Sequence, residues 1–180
     1  MNVGRLREDG TECGFGGCRY SRPANSENDF DNFSPKLSLR FQLNPQTQLF
    51  GGIARGYRAP QATELYRLQR AQTVTDLDSV TADNIEVGVT GTLLEGSYTL
   101  SLYSLQKDNV IYRDSDFFNV SNGETWHRGI ELSLDQQLND ALRLDFAGTY
   151  ARHTYEHSQL SGEQDIKGND IDTAPKLQFN

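Results

Sequence analysis

The sequence predicts an all-β fold, an antiparallel transmembrane β-barrel of which this chain holds roughly six to seven strands. Three observations predict it. Apolar and polar residues alternate with period 2 in one segment after another. The connections between segments alternate strictly between very short and very long. The segments run about ten residues, the length a tilted strand needs to cross a bilayer.

Before the first such segment comes Thr11-Glu12-Cys13-Gly14-Phe15-Gly16-Gly17-Cys18-Arg19, which holds both cysteines of the chain. Its glycines make a tight ring easy to close, so a small Cys13 to Cys18 disulfide is expected. A structural zinc site would need two further ligands, and the three histidines lie far along the chain. A disulfide persists in oxidising compartments, which favours export. Met1 to Glu8 has no apolar stretch and no small-residue cleavage site, so it is not a secretory signal peptide. The expectation is therefore a piece of a longer precursor.

The first strand is read from Leu37, Leu39, Phe41 and Leu43, alternating with Lys36, Ser38, Arg40 and Gln42. Asn44-Pro45-Gln46 is a tight turn, and Leu49, Gly51 and Ile53 mark the second strand. A polar stretch from Arg58 to Ala82 follows, in which Ala62 to Arg70 predicts a short helix. Ile85, Val87, Val89 and Leu93 form the third strand, alternating with Glu86, Gly88, Thr90 and Thr92. After the turn Leu94-Glu95-Gly96, the fourth strand carries Tyr98, Leu100 and Leu102, and Asp108 to Thr125 is expected to be a second long loop. Ile130, Leu132, Leu134 and Leu138 alternate with Glu131, Ser133, Asp135 and Gln137; past Asn139-Asp140, Leu142, Leu144, Phe146 and Tyr150 alternate with Arg143, Asp145, Ala147 and Thr149. Thr154 to Thr173 is the third long loop, and Ala174 to Asn180 starts another strand.

A soluble meander has little reason to put every long loop at one end, whereas outer-membrane barrels have short periplasmic turns and long extracellular loops. Tyr57, Trp126, Tyr150 and Tyr155 all fall near the outer interface, where aromatic girdles sit, and some of the four are expected to serve there. Composition agrees. A hydrophobic content of 36% and a mean hydropathy of -0.66 suit a wall whose strands expose only alternate residues to lipid. No run approaches the roughly 18 apolar residues of a spanning helix. A net charge of -8 argues against nucleic acid as a partner, because phosphate neutralisation needs a basic face.

Several strings, in order, carry a family resemblance. They are Asn32-Phe33-Ser34-Pro35-Lys36-Leu37-Ser38-Leu39, then Ala54-Arg55-Gly56-Tyr57-Arg58-Ala59-Pro60-Gln61-Ala62-Thr63-Glu64-Leu65-Tyr66, then Asn84-Ile85-Glu86-Val87-Gly88-Val89, Lys107-Asp108-Asn109-Val110-Ile111 and His127-Arg128-Gly129-Ile130-Glu131-Leu132. Together they resemble the barrel of TonB-dependent outer-membrane receptors. The resemblance implies a barrel of about 22 strands with a plugged lumen, of which 180 residues supply a third or so. It also implies a plug domain and an N-terminal segment that contacts the TonB complex. Neither is seen in residues 1–180, so a partial barrel domain from the C-terminal half is expected. The implied function is active uptake of a ferric siderophore or a similar nutrient chelate; the alternatives are a passive barrel, porin or adhesin, and a soluble all-β binding protein. Outer-membrane lipid and lipopolysaccharide would surround such a barrel.

No catalytic pattern is present: GxSxG, HExxH and a phosphate-cradling glycine loop are all missing. No enzyme activity, cofactor or metal is expected. His153 and His157 have a metal-ligand spacing only on a helix, and they fall at a strand end. Arg55, Tyr57, Arg58, Tyr66, Arg67 and Arg70, at the outer end of one strand and in the loop above it, form the candidate ligand site. Guanidinium groups bind carboxylate, catecholate or phosphate oxygens, and tyrosines add stacking surface. The competing reading pairs Arg55 and Arg58 with lumen carboxylates and leaves the loop arginines facing water. Arg40, Glu86, Glu131, Asp135 and Arg143 are expected to face the lumen as a charged ladder against the plug.

Overall fold

The computed structural model describes residues 20–21, 27–69, 72, 75–115, 118–158, 160–161 and 164–179. In chain order its elements are β1 (Tyr20–Ser21), β2 (Lys36–Asn44), β3 (Thr47–Arg58), α1 (Ala62–Tyr66), β4 (Leu68–Gln69), β5 (Val80–Leu93), β6 (Gly96–Arg113), β7 (Asn119–Asn139), β8 (Leu142–Tyr155), β9 (Leu160–Ser161), β10 (Gln164–Asp165) and β11 (Leu177–Phe179). Seven of these strands form one antiparallel sheet in the order β11-β8-β7-β6-β5-β3-β2. The sheet is open, as a segment of a larger barrel wall must be. Strand β4, in the first long loop, pairs with β1 of the segment before β2, and the pair β9·β10 lies in the third long loop.

The three short turns all lie at one end. Asn44 and Asn139 stabilise theirs identically: each side-chain Oδ1 accepts the backbone N–H two residues on, at 2.9 Å. In the third, Leu94 takes a left-handed conformation with φ 55° and is exposed.

Register settles which face each residue occupies. Through the paired positions, Phe41, Leu49, Val89, Leu100, Leu132, Gly148 and Phe179 form one row across the sheet. Leu39, Gly51, Val87, Leu102, Ile130, Tyr150 and Leu177 form the row above it. Because successive residues alternate faces, this face carries nearly all the strand leucines, isoleucines and valines, and most are exposed. A soluble sheet would cover such a face; here it is a continuous apolar band suited to lipid. Among the described residues the buried hydrophobics are only Leu65, Leu68, Leu77 and Ala151, three of them in the first long loop. The core therefore lies above the wall and not behind it.

The opposite face carries Arg40, Glu86, Glu131, Asp135 and Arg143, all on the inner, lumen-facing side as expected. Arg143 pairs with Asp135 there and approaches Asp145 at 3.4 Å. Two aromatic rings also lie on this face, each across a glycine of the next strand: Phe50 opposite Gly88 and Tyr103 opposite Gly129. A Cβ on Gly129 would meet the Tyr103 ring at 2.8 Å, so the ring occupies the space the missing side chain leaves.

The expected loop from Asp108 to Thr125 is mostly strand. β6 continues to Arg113 and β7 begins at Asn119, with register shifts between Lys107 and Val110 and between Val110 and Tyr112. Asn109, at φ 56°, marks the irregularity. Beyond the membrane both faces of a hairpin meet water, so polar residues no longer report a strand's end. Tyr57, Trp126 and Tyr150 lie on the outward face, whereas Tyr155 lies on the inward one.

Candidate functional site

At the end opposite the short turns, the first long loop folds down onto the extended β6–β7 hairpin. β3 ends at Arg58, and the chain reverses through Ala59 and buried Pro60 into α1. Glu64 in α1 accepts the Gln61 backbone N–H at 2.6 Å, satisfying a donor that the helix start would leave open. The same carboxylate takes both Arg58 Nη atoms, at 3.0 and 3.3 Å. Burial alone would raise the Glu64 carboxyl, but the Arg58 guanidinium and the Gln61 N–H together hold it below its ordinary value.

Leu65 of the helix, Leu68 and Leu77 are the buried apolar residues of this loop. Polar ties then fix the loop to the hairpin. The Asn119 backbone N–H donates to Gln72 Oε1 at 2.9 Å, and Gln72 Nε2 donates back to the Asn119 carbonyl at 3.0 Å. Asn119 Nδ2 reaches the Glu64 carbonyl at 2.8 Å, and the Thr75 hydroxyl donates to the Leu65 carbonyl at 3.1 Å. The Asp78 N–H donates to Ser121 Oγ, and Asn109 Nδ2 to the Ser79 carbonyl. Buried polar groups with partners on both sides make the arrangement specific.

Between helix and hairpin lies a cleft of about 250 Å³, lined by Thr63, Glu64, Arg67, Tyr112, Arg113 and Asn119. Arg113 Nε contacts Asn119 Oδ1 at 3.4 Å. Two guanidinium groups and a tyrosine lining one polar cleft suit a planar oxyanion. A whole chelate would extend beyond so small a volume.

Of the six sequence-predicted residues, the five described ones do not share one surface. Arg55 and Tyr57 stand on the outward face of β3, where Arg55 makes a bidentate pair with Asp83, both contacts at 2.6 Å. Arg58 pairs with Glu64 of the loop and not with a lumen carboxylate. Tyr66 accepts a hydrogen bond from Asn28 Nδ2 at 2.8 Å, and Arg67 lines the cleft. Arg70 and the Cys13 and Cys18 pair lie outside the described residues. Sequence reasoning missed Tyr112 and Arg113, because they sit in a stretch read as loop. The signal was present in the run Val110-Ile111-Tyr112, three consecutive residues of strand-forming type.

The histidines contact their strand neighbours. His127 and His153 face each other across β7 and β8, with their Nδ1 atoms 2.8 Å apart, so one donates to the other. His157 lies between Tyr112 and Tyr155, with ring centroids at 4.9 and 5.9 Å. Among the described residues no three His, Cys, Asp or Glu side chains come together to hold a metal. No helix among them is long and apolar enough to cross a membrane, which says nothing of strands.

A family model described as "TonB dependent receptor-like, beta-barrel" matches residues 9–180. That match covers nearly the whole chain and agrees with the outward apolar band and with the turns and loops segregated to opposite ends. The chain thus belongs to the TonB-dependent receptor-like β-barrel family, whose members are receptors and transporters of the outer membrane and not enzymes.

Proposed function

We propose that the receptor takes up an anionic nutrient chelate, a ferric siderophore or a similar compound, by an active mechanism. Residues 1–180 then form part of the barrel domain, and a plug and a TonB-contacting segment act from outside these residues. The reading rests chiefly on the cleft above the wall, where Arg67 and Arg113 converge beside Tyr112. An oxyanion edge of the chelate enters there, and Tyr66 extends the capture surface. Arg58 supports the site by holding Glu64 and hence α1. The family favours this reading over a passive porin or adhesin, which would share the strand rhythm but not the coupling to TonB.

The test is equilibrium binding of ferric catecholate, hydroxamate and citrate chelates to the full receptor, wild type against Arg67→Gln/Arg113→Gln. Ionic strength is held fixed, because exposed charges are screened. Loss of two charge-assisted contacts should weaken the chelate that the wild type binds by about tenfold to a hundredfold, with heat-modifiable barrel unchanged. Unchanged affinity would place recognition elsewhere. Binding of none of these chelates would remove the substrate class.

A further inference from the structure

His127 on β7 and His153 on β8 are 26 residues apart in the chain, and the antiparallel register sets them directly opposite each other. Both side chains lie on the lumen face, as Glu131 and Asp135 do, and both are half-buried. They stand above the level of Ile130, where the outward apolar stretch begins, and so at the extracellular mouth of the lumen. Their backbones are held from both sides. Leu105 of β6 pairs with His127, and the Ile171 N–H of the third loop donates to the His153 carbonyl at 2.9 Å.

The two Nδ1 atoms are 2.8 Å apart. Two nitrogens held at a right angle, each about 2.0 Å from one ion, are separated by roughly that distance, whereas a tetrahedral angle requires roughly 3.3 Å. The spacing therefore fits neighbouring equatorial positions of a tetragonal ion. That is the geometry of copper(II), which also heads the affinity order of the divalent first-row metals. The rings meet nearly end to end, with centroids 5.0 Å apart and planes inclined by 55°. Each turns about its Cβ–Cγ bond to aim a lone pair at an ion beside the N–N line, a freedom that half-burial on the lumen face leaves.

Moving one proton within one ring prepares the pair for a metal. Without metal, one Nδ1 carries the proton that the other accepts. A bound ion needs both Nδ1 atoms bare, so the proton passes to Nε2 of its own ring. In His127 that atom lies 3.0 Å from Oγ1 of buried Thr125, an acceptor already in place. A fixed partner for the second nitrogen is what orients a metal-binding imidazole. Lys107, opposite Thr125 on the same face, works against a bound cation and holds the expected dissociation constant to about micromolar.

We propose that His127 and His153 form a two-histidine site for copper(II) at the extracellular mouth of the lumen, with water in the remaining positions. The site depends on the register of β7 and β8 and not on which nutrient the receptor carries. His157, held between Tyr112 and Tyr155, takes no part.

The test adds one equivalent of copper(II) to the full receptor in detergent at neutral pH and counts coordinated imidazoles by pulsed electron paramagnetic resonance. Wild type should give a tetragonal spectrum with two imidazoles and saturate at about micromolar copper. His153→Gln should leave one imidazole and weaken binding by about tenfold or more, and His127→Gln/His153→Gln should remove the signal. His157→Gln should change neither the count nor the affinity. A two-imidazole signal that survives in the folded double variant, or that His157→Gln abolishes, would overturn the assignment. Saturation of wild type only at millimolar copper would also overturn it and leave the pair as a hydrogen bond between neighbours. Should the double variant fail to assemble, His153→Gln alone still decides, because the count must fall from two to one.

Discussion

Arginine at position 132 is expected to impair assembly of the receptor far more than arginine at position 133. Leu132 lies on the outward face of β7, 40% exposed, opposite Leu100 on one side and Gly148 on the other. Ser133, the next residue, faces the lumen between Thr99 and Ala147. The outward apolar stretch of β7 runs from Ile130 to Leu138. At about 3.3 Å per residue it measures roughly 26 Å along the strand, and a tilt of about 40° brings it to roughly 20 Å of membrane depth. Leu132 then sits roughly 5 Å inside the outer edge of that band. A charge on the lipid face costs about 2 to 4 kcal/mol at the midplane and falls toward the interface. Leu132→Arg should fall toward the lower end, a change of about 30-fold in the folded population. Ser133→Arg adds a charge to a polar, wet surface that already holds Glu131 and Asp135 and should cost far less. Heat-modifiable migration and urea titration of the full receptor refolded into lipid vesicles measure both variants. Equal loss for the two, or a greater loss at 133, would refute the assignment of faces.

Gly129→Val should destabilise the barrel by about 1 to 3 kcal/mol, since its new side chain meets the Tyr103 ring, whereas Gly56→Ala should be nearly neutral because nothing lies within 4 Å of its Cβ. Urea unfolding in vesicles compares them. The Glu64 carboxyl titrates below its ordinary value of 4.5, so its stabilisation of the first loop is full above that pH and is lost as pH falls through the lowered value. Hydrogen exchange at α1, corrected for intrinsic rate, should therefore lose protection on acidification, and Glu64→Gln should flatten the response. In exported receptor Cys13 and Cys18 should form a disulfide, which peptide mass mapping with and without reduction would detect; two freely alkylatable thiols would contradict it.

What the sequence determined by itself was the wall. Strand alternation is a local property with period 2, and a lipid-facing surface demands it residue by residue, so Leu37 to Leu43 or Ile130 to Leu138 could be assigned a face without a partner. The short turns were equally legible, because Asn44 and Asn139 act on backbone only two residues away. The helix at Ala62 was visible for the same reason, although it ends at Tyr66 and gives way to the short strand β4. Tertiary structure alone decided everything that depends on distant pairing. Arg55 and Arg58 read alike in sequence. Register placed Asp83 against the first and the loop fold brought Glu64 to the second, so neither is left to line the cleft as an uncommitted cation. Gln72 and Asn119 are unremarkable polar residues until the loop closes on the hairpin and each satisfies the other's buried groups. Arg128 and Arg152 lie 24 residues apart in the chain, and only the antiparallel register of β7 and β8 makes them neighbours. Local patterns follow from the solvent each face meets, whereas charge pairing and buried polar contacts follow from which segments the fold brings together.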